Sequence, residues 1–146
     1  MSACKFCALL AQPDLASALP NLLLADGAAV AVLNRRPVAP GHLTVILKAH
    51  HETTSRFSDD HLAGVGGLLG RLAAALERVH APGRVVLLGD GKRSAHLHLH
   101  LIPEPAGASL DLGAAVADLN LAARPPSLSD EQLAQALSAL RAALAP

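Results

Sequence analysis

Apolar and polar positions alternate most regularly over residues 96–103, His96-Leu97-His98-Leu99-His100-Leu101-Ile102-Pro103. A period of two predicts a β-strand, with His96, His98 and His100 on one face and Leu97, Leu99 and Leu101 on the other. The leucine face should bury and the histidine face should line a surface, with neighbouring imidazoles roughly 6.5–7 Å apart, twice the rise per residue. Pro103 lacks an amide N–H and is expected to end the strand. Four further apolar runs read as strands: residues 22–25, 28–33, 43–48 and 84–88. Asp26-Gly27 between the first two suits a type I′ hairpin turn. Pro40-Gly41 ahead of the third suits a type II turn.

Helical periodicity occupies the intervals. Ser58 can cap a helix running to about His80, with Asp59 and Asp60 at the positive end of its dipole. Gly64, Gly67 and Gly70 recur every third residue in it, each costing ~1 kcal/mol relative to alanine, so close packing of that face on the sheet is expected. His61 and His80 read as solvated. Ser129-Asp130-Glu131-Gln132 is a capping-box start to a second helix, whose Leu133, Leu137, Leu140 and Leu144 form an apolar stripe facing the domain or a second subunit. A helical turn over residues 14–19 and a helix near residues 112–121 complete the reading. The order hairpin, strand, helix, strand, strand predicts an α+β fold with an antiparallel sheet of about five strands, one crossing helix and a C-terminal helix.

Composition narrows the function. The 146 residues are 51% hydrophobic and 16% charged, which predicts one domain, residues 1–146, with its own core. Twelve basic and twelve acidic residues balance, so a broad surface for nucleic acid is not expected, although a local anion site is allowed. Phe6 and Phe57 are the whole aromatic complement, too few to stack single-stranded bases. No apolar run reaches ~18 residues and the start lacks a basic-then-apolar leader, so a cytoplasmic protein without membrane contact is expected.

Candidate chemistry gathers in three places. On the histidine face, one phosphate or one metal ion could engage two imidazoles. Cys4-Lys5-Phe6-Cys7 has the spacing of a metal clip or a redox pair, or holds two unliganded thiols. The loop Gly89-Asp90-Gly91-Lys92-Arg93-Ser94 lacks the spacing of a phosphate-binding P-loop, yet its backbone N–H groups, Lys92 and Ser94 could serve a phosphate just before the histidines. Asn34, in Asn34-Arg35-Arg36-Pro37, can cap its own turn or donate to a ligand.

The His-apolar-His-apolar-His-apolar-apolar run resembles the signature of the histidine-triad (HIT) family of nucleotide hydrolases and transferases. Asn34, Pro37, Pro40, Gly41, His42, Lys48 and His50 resemble its second landmark, and the Asn-Arg-Arg-Pro form is similar to the fragile-histidine-triad branch that hydrolyses diadenosine polyphosphates. The resemblance implies a homodimer acting on an adenine nucleotide. His98 would be the nucleophile that forms a nucleotidyl-histidine intermediate, with His96 and His100 as its catalytic neighbours. His100 would contact the phosphate and leaving group, His42 would support the pocket, Asn34 would bind the ribose and Ser94 could hold the oxyanion. Lys92, as a substrate-binding residue, rests on the basic loop alone, whose Gly91-Lys92-Arg93-Ser94 departs from the family's usual Gly-Gln-(Ser/Thr)-Val. It further implies a structural zinc on Cys4, Cys7, His50 and His96, with His51 as the competitor to His50, and no organic cofactor. Two other readings stand beside this one: a metal-dependent hydrolase with the three histidines as ligands, and a non-catalytic nucleotide-binding or interaction protein on the same scaffold.

Overall fold

The computed structural model describes residues 4–90, 94–108 and 127–145. Two short helices, α1 (Lys5–Leu10) and α2 (Leu15–Ala18), precede the hairpin β1 (Leu22–Ala25) and β2 (Ala29–Leu33). Strand β3 (Leu43–Leu47), a 3₁₀ turn (Thr54–Arg56), helix α3 (Asp59–His80), strands β4 (Arg84–Asp90) and β5 (His98–Glu104), and helix α4 (Asp130–Leu144) follow. The α+β architecture is the one the pattern predicts. The expected helix near residues 112–121 lies outside the described residues.

All strand pairs are antiparallel in the order β1-β2-β3-β5-β4, so the histidine strand lies inside the sheet. Alternation sorts the faces. Ala29, Ala31, Leu33, Leu43, Val45 and Leu101 meet Leu68, Leu72 and Leu76 of α3, and Leu133, Leu137 and Leu140 of α4 close the same core. Burying each such leucine contributes about 1.5–3 kcal/mol. Thr44 and Ile46 point the other way, opposite His100 and His98 respectively. Ser58 and Ser129 cap α3 and α4 through their hydroxyls, and Ser129 completes a reciprocal capping box with Gln132.

Several local expectations are corrected. Gly27 does not adopt the positive φ of a type I′ turn. Instead the Asp26 carboxylate accepts the N–H groups of Ala28 and Ala29, a side-chain-closed turn that needs no left-handed residue. The type II turn is present: Gly41 has φ 85° and the His42 N–H donates to the Ala39 carbonyl at 3.0 Å. Gly67 and Gly70 face open space, and only Gly64 comes near the hairpin, at Ala28. The buried stripe of α3 is Val65, Leu68, Leu72, Ala75 and Leu76; Gly67 and Gly70 sit more than about 100° around the helix from its centre, while Gly64 lies at its margin.

His61 and His80 are not solvated, since both hold a buried Nε2 without a hydrogen-bond partner among the described residues. Nor does Pro103 end its strand, which runs to Glu104 and pairs Pro103 with Val85. The Glu104 carbonyl accepts from Gly83 on the β4 side, so the nitrogen of Pro103 faces the other edge, where β3 has already ended at Leu43. The missing donor therefore has no ladder partner to lose.

Candidate functional site

Strand β5 begins at His98 rather than His96. Ala95 takes a left-handed φ of 45°, and the turn it makes carries His96 out of the ladder. The three histidines consequently do different things. His98 and His100 stay side by side on one face with ring centroids 5.2 Å apart. That face is enclosed rather than open, with His98 7% and His100 6% exposed.

The hydrogen bonds assign the tautomers. Nδ1 of His98 lies 3.0 Å from the His96 carbonyl oxygen, which can only accept, so the His98 proton sits on Nδ1 and its lone pair on Nε2. The group of His96 that orients His98 is thus its backbone carbonyl and not its imidazole. At His42, the Val38 N–H donates to Nδ1 at 3.3 Å. Burial, and then the neighbouring His100, push the His42 pKa down to about 3. The neutral ring therefore carries its proton on Nε2 and donates it to Nδ1 of His100 at 3.0 Å. Thr44 Oγ1 stands 3.3 Å from the same nitrogen. With Nδ1 accepting, neutral His100 holds its proton on Nε2.

Thr44 was not singled out from the sequence. The signal was present, because His42-Leu43-Thr44 places Thr44 two residues after a site histidine at the start of a strand. Asn34 joins this group: its Nδ2 donates to Thr44 Oγ1 at 3.4 Å while its Oδ1 accepts from the Arg36 N–H at 3.2 Å. It caps its own turn and reaches the histidine network at once. Ser94 sits half-buried in the turn before His96. Lys92 lies outside the described residues.

A second cluster adjoins the first. Cys4, Cys7, His50 and His96 each offer one ligand atom, all within 4.8 Å of one another. Nδ1 of His96 is 3.4 Å from Cys4 Sγ, 3.6 Å from Cys7 Sγ and 3.2 Å from Nδ1 of His50, and Cys7 Sγ is 3.1 Å from Nδ1 of His50. Ligands around one tetrahedral zinc at bond lengths of 2.0–2.3 Å stand roughly 3.3–3.8 Å apart, so the donor set fits a closed four-coordinate ion. Nε2 of His96 donates to the Leu47 carbonyl at 2.7 Å, leaving Nδ1 as the lone pair aimed at the cluster, the outer-shell arrangement typical of a ligating histidine. Burial raises the Cys7 thiol pKa, and the adjoining Cys4 adds to this. Burial works the same way on Cys4, but the Cys7 and Phe6 N–H groups and the Cys7 thiol outweigh it and hold Cys4 below its ordinary value. His51 stays out of the cluster. Its ring packs on Phe57 at 4.7 Å and its carbonyl accepts from the Leu97 N–H.

Phe6 links the two clusters and was likewise passed over in the sequence as a site residue. Its ring centroid is 5.5 Å from that of His96 and 5.0 Å from that of His98. One of only two aromatics, placed between two cysteines, was the available clue.

Comparison with known proteins agrees with this geometry. The HIT domain family matches residues 18–107, more than half of the chain. An uncharacterized HIT-like protein of Mycobacterium tuberculosis is 28% identical over 114 residues, spanning 75% of this chain and 76% of its own length. Among solved structures, a zinc-bound histidine triad family protein from Mycobacterium smegmatis superposes with a TM-score of 0.68 at 25% identity, covering 97% of this chain and 93% of that one. A diadenosine triphosphate hydrolase from Plasmodium falciparum shares the fold, with a TM-score of 0.63 at 12% identity over 84% of this chain and 74% of that one.

Proposed function

The chain belongs to the HIT family, and we propose that it is a nucleotide hydrolase or nucleotidyltransferase that cleaves at the α-phosphate of a nucleoside phosphoramidate or dinucleoside polyphosphate. The observation that carries this reading is the His98 tautomer: the proton donated from Nδ1 to the His96 carbonyl leaves a nucleophilic lone pair on Nε2 beside His100. Nε2 attacks the α-phosphorus, the N–P bond forms, and the bond to the leaving group breaks with its electron pair on that group, which departs as a phosphate or as a neutral amine already protonated on nitrogen from solvent. The His98 ring, still protonated on Nδ1, becomes cationic, and the His96 carbonyl dipole stabilises it. Water then adds to phosphorus and breaks the N–P bond, releasing the nucleoside monophosphate and restoring neutral His98. His100, with Nδ1 satisfied by His42, presents Nε2–H to a phosphoryl oxygen. Asn34 serves the ribose hydroxyls from the edge of the same network, and Ser94 and Lys92 flank the phosphates.

Zinc is the ion assigned to Cys4, Cys7, His50 and His96. With four protein ligands it leaves no position for water, so it holds structure and activates nothing. This separates the reading from a hydrolase that uses the three histidines as ligands, because His96 alone among them turns toward the metal cluster. The exposed edge strand β4, with Leu87 52% exposed at its middle, is where a second copy would add its own strand, and a single-chain mass in sedimentation at micromolar concentration would reject that pairing.

Incubation with α-labelled substrates tests the catalytic reading. AMP-phosphoramidate, diadenosine polyphosphates, ADP with and without phosphate, and their 2′-deoxy counterparts form the panel. Acid-labile label should attach to His98, and His98→Ala should lower kcat by at least ~10⁴-fold, the scale expected for loss of a covalent nucleophile. A variant retaining a tenth of wild-type turnover, or label on another residue, would reject the assignment.

A further inference from the structure

We propose that Phe6 is a positioning residue for His98, and that the Cys4-Cys7-His50-His96 clip sets the nucleophile through it. This rests on the assignment of His98 above. One aromatic ring connects the two clusters. Phe6 lies between the two cysteines and projects to the other cluster, its ring 5.0 Å from His98 at an interplanar angle of 55°. The same ring meets His96 edge-on at 5.5 Å and 64°. Lys5 Nζ stands over it, 5.1 Å from the ring centroid.

The physical need is specific. A hydrogen bond from Nδ1 to the His96 carbonyl fixes which nitrogen carries the proton, but a single bond leaves the imidazole free to swing about it. An in-line attack by Nε2 tolerates little swing, since misplacement by about 1 Å costs on the order of 10²-fold in rate. A ring packed against the imidazole removes that freedom. Helix α1 cannot supply the rigidity itself: it has six residues, none buried, and no side chain caps it. What ties the segment down is the pair of thiols flanking Phe6, at 3.1–3.6 Å from the histidine nitrogens. With a metal bound, Cys4 and Cys7 become fixed points on both sides of Phe6, and His96 joins the clip to the carbonyl that orients His98.

The experiment reads the His98 imidazole directly, with ¹⁵N-histidine-labelled protein loaded with zinc and the His98 signals assigned through His98→Gln. Wild type should show one Nδ1–H tautomer. Phe6→Ala should give exchange-broadened or mixed-tautomer signals, and Phe6→Leu, which keeps apolar volume, an intermediate pattern. Stripping zinc from wild type should move the signals toward those of Phe6→Ala. In turnover, Phe6→Ala should lower kcat by about 10–100-fold with KM within about twofold, and equally for purine and pyrimidine nucleotides. Unchanged His98 signals in Phe6→Ala, or in the zinc-stripped wild type, would overturn the inference. A KM that rises for purines alone would also overturn it, because Phe6 would then be stacking on the base. Failure of the catalytic reading is separable: label absent from wild-type His98 would reject that reading, while the imidazole signals still report the Phe6 contact.

Discussion

Nε2 of His42 lies 3.0 Å from Nδ1 of His100, and the direction of that hydrogen bond is dictated from the far side of His42, where the Val38 N–H occupies Nδ1. A backbone amide in the loop before β3 thereby decides which nitrogen of a β5 histidine is left to donate. The arrangement works only while His42 is neutral.

This makes stability depend on pH in a defined window. The folded His42 pKa is about 3, below its ordinary 6.5, so as pH falls below 6.5 the unfolded chain takes up a proton that the folded chain refuses. The stabilisation is complete above pH 6.5, declines toward pH 3 and is then exhausted, an upper bound of roughly 4–5 kcal/mol at ~1.4 kcal/mol per unit. Burial lowers His80 in the same direction and adds to the slope. Urea midpoints measured from pH 7.5 to 4 should fall in wild type and fall less steeply in a His42→Gln variant. Parallel curves would show that His42 does not govern the acid limb.

The turn that delivers His42 has almost no tolerance. A Cβ on Gly41 would lie 2.5 Å from Nε2 of His80 and 2.9 Å from Cδ2 of Leu76, and the backbone φ of 85° disfavours any side chain. Gly41→Ala is expected to cost ~2–5 kcal/mol, the sum of overpacking and left-handed strain. Adding His80→Ala should return the part of the overpacking, about 1–3 kcal/mol in all, that His80 causes, and leave the left-handed strain and the Leu76 contact. An unaltered urea midpoint in Gly41→Ala would contradict the close approach of α3 to this turn.

Metal removal offers a separate check. Zinc at a hundredfold above its Kd adds about 2.7 kcal/mol to stability. Chelation should therefore lower Tm by about 5–10 °C and raise amide exchange in residues 4–10. Metal analysis should find about one zinc per chain in wild type and none in a folded Cys4→Ser, Cys7→Ser double variant. A metal-free wild type with fully reactive thiols would reject the ion.

Much of this was written in local pattern. Period-two alternation marked β5, and short continuous apolar runs marked the other four strands, two of which, β2 and β3, are buried along their whole length. Ser58, Ser129 and Pro40-Gly41 announced their caps and turn because each closes hydrogen bonds within a few residues of itself. The resemblance of the histidine run and the Cys4-to-Cys7 spacing pointed to Cys4, Cys7, His50 and His96, the four side chains whose ligand atoms the structure gathers within 4.8 Å of one another.

Tertiary structure decided what depends on direction and distance between remote segments. His50 enters the cluster while His51 turns to Phe57, though adjacent residues carry no difference in pattern. The glycine row of α3 faces outward because the leucine stripe, and not the glycines, wins the sheet. Above all, His96 looks equivalent to His98 and His100 in sequence, and the left-handed Ala95 separates them, sending its ring to the cysteines and leaving its carbonyl to His98. A residue sequence specifies which donors and acceptors exist; which of them meet is determined only when burial brings segments some 90 residues apart into hydrogen-bond range, as Cys4 and His96 are.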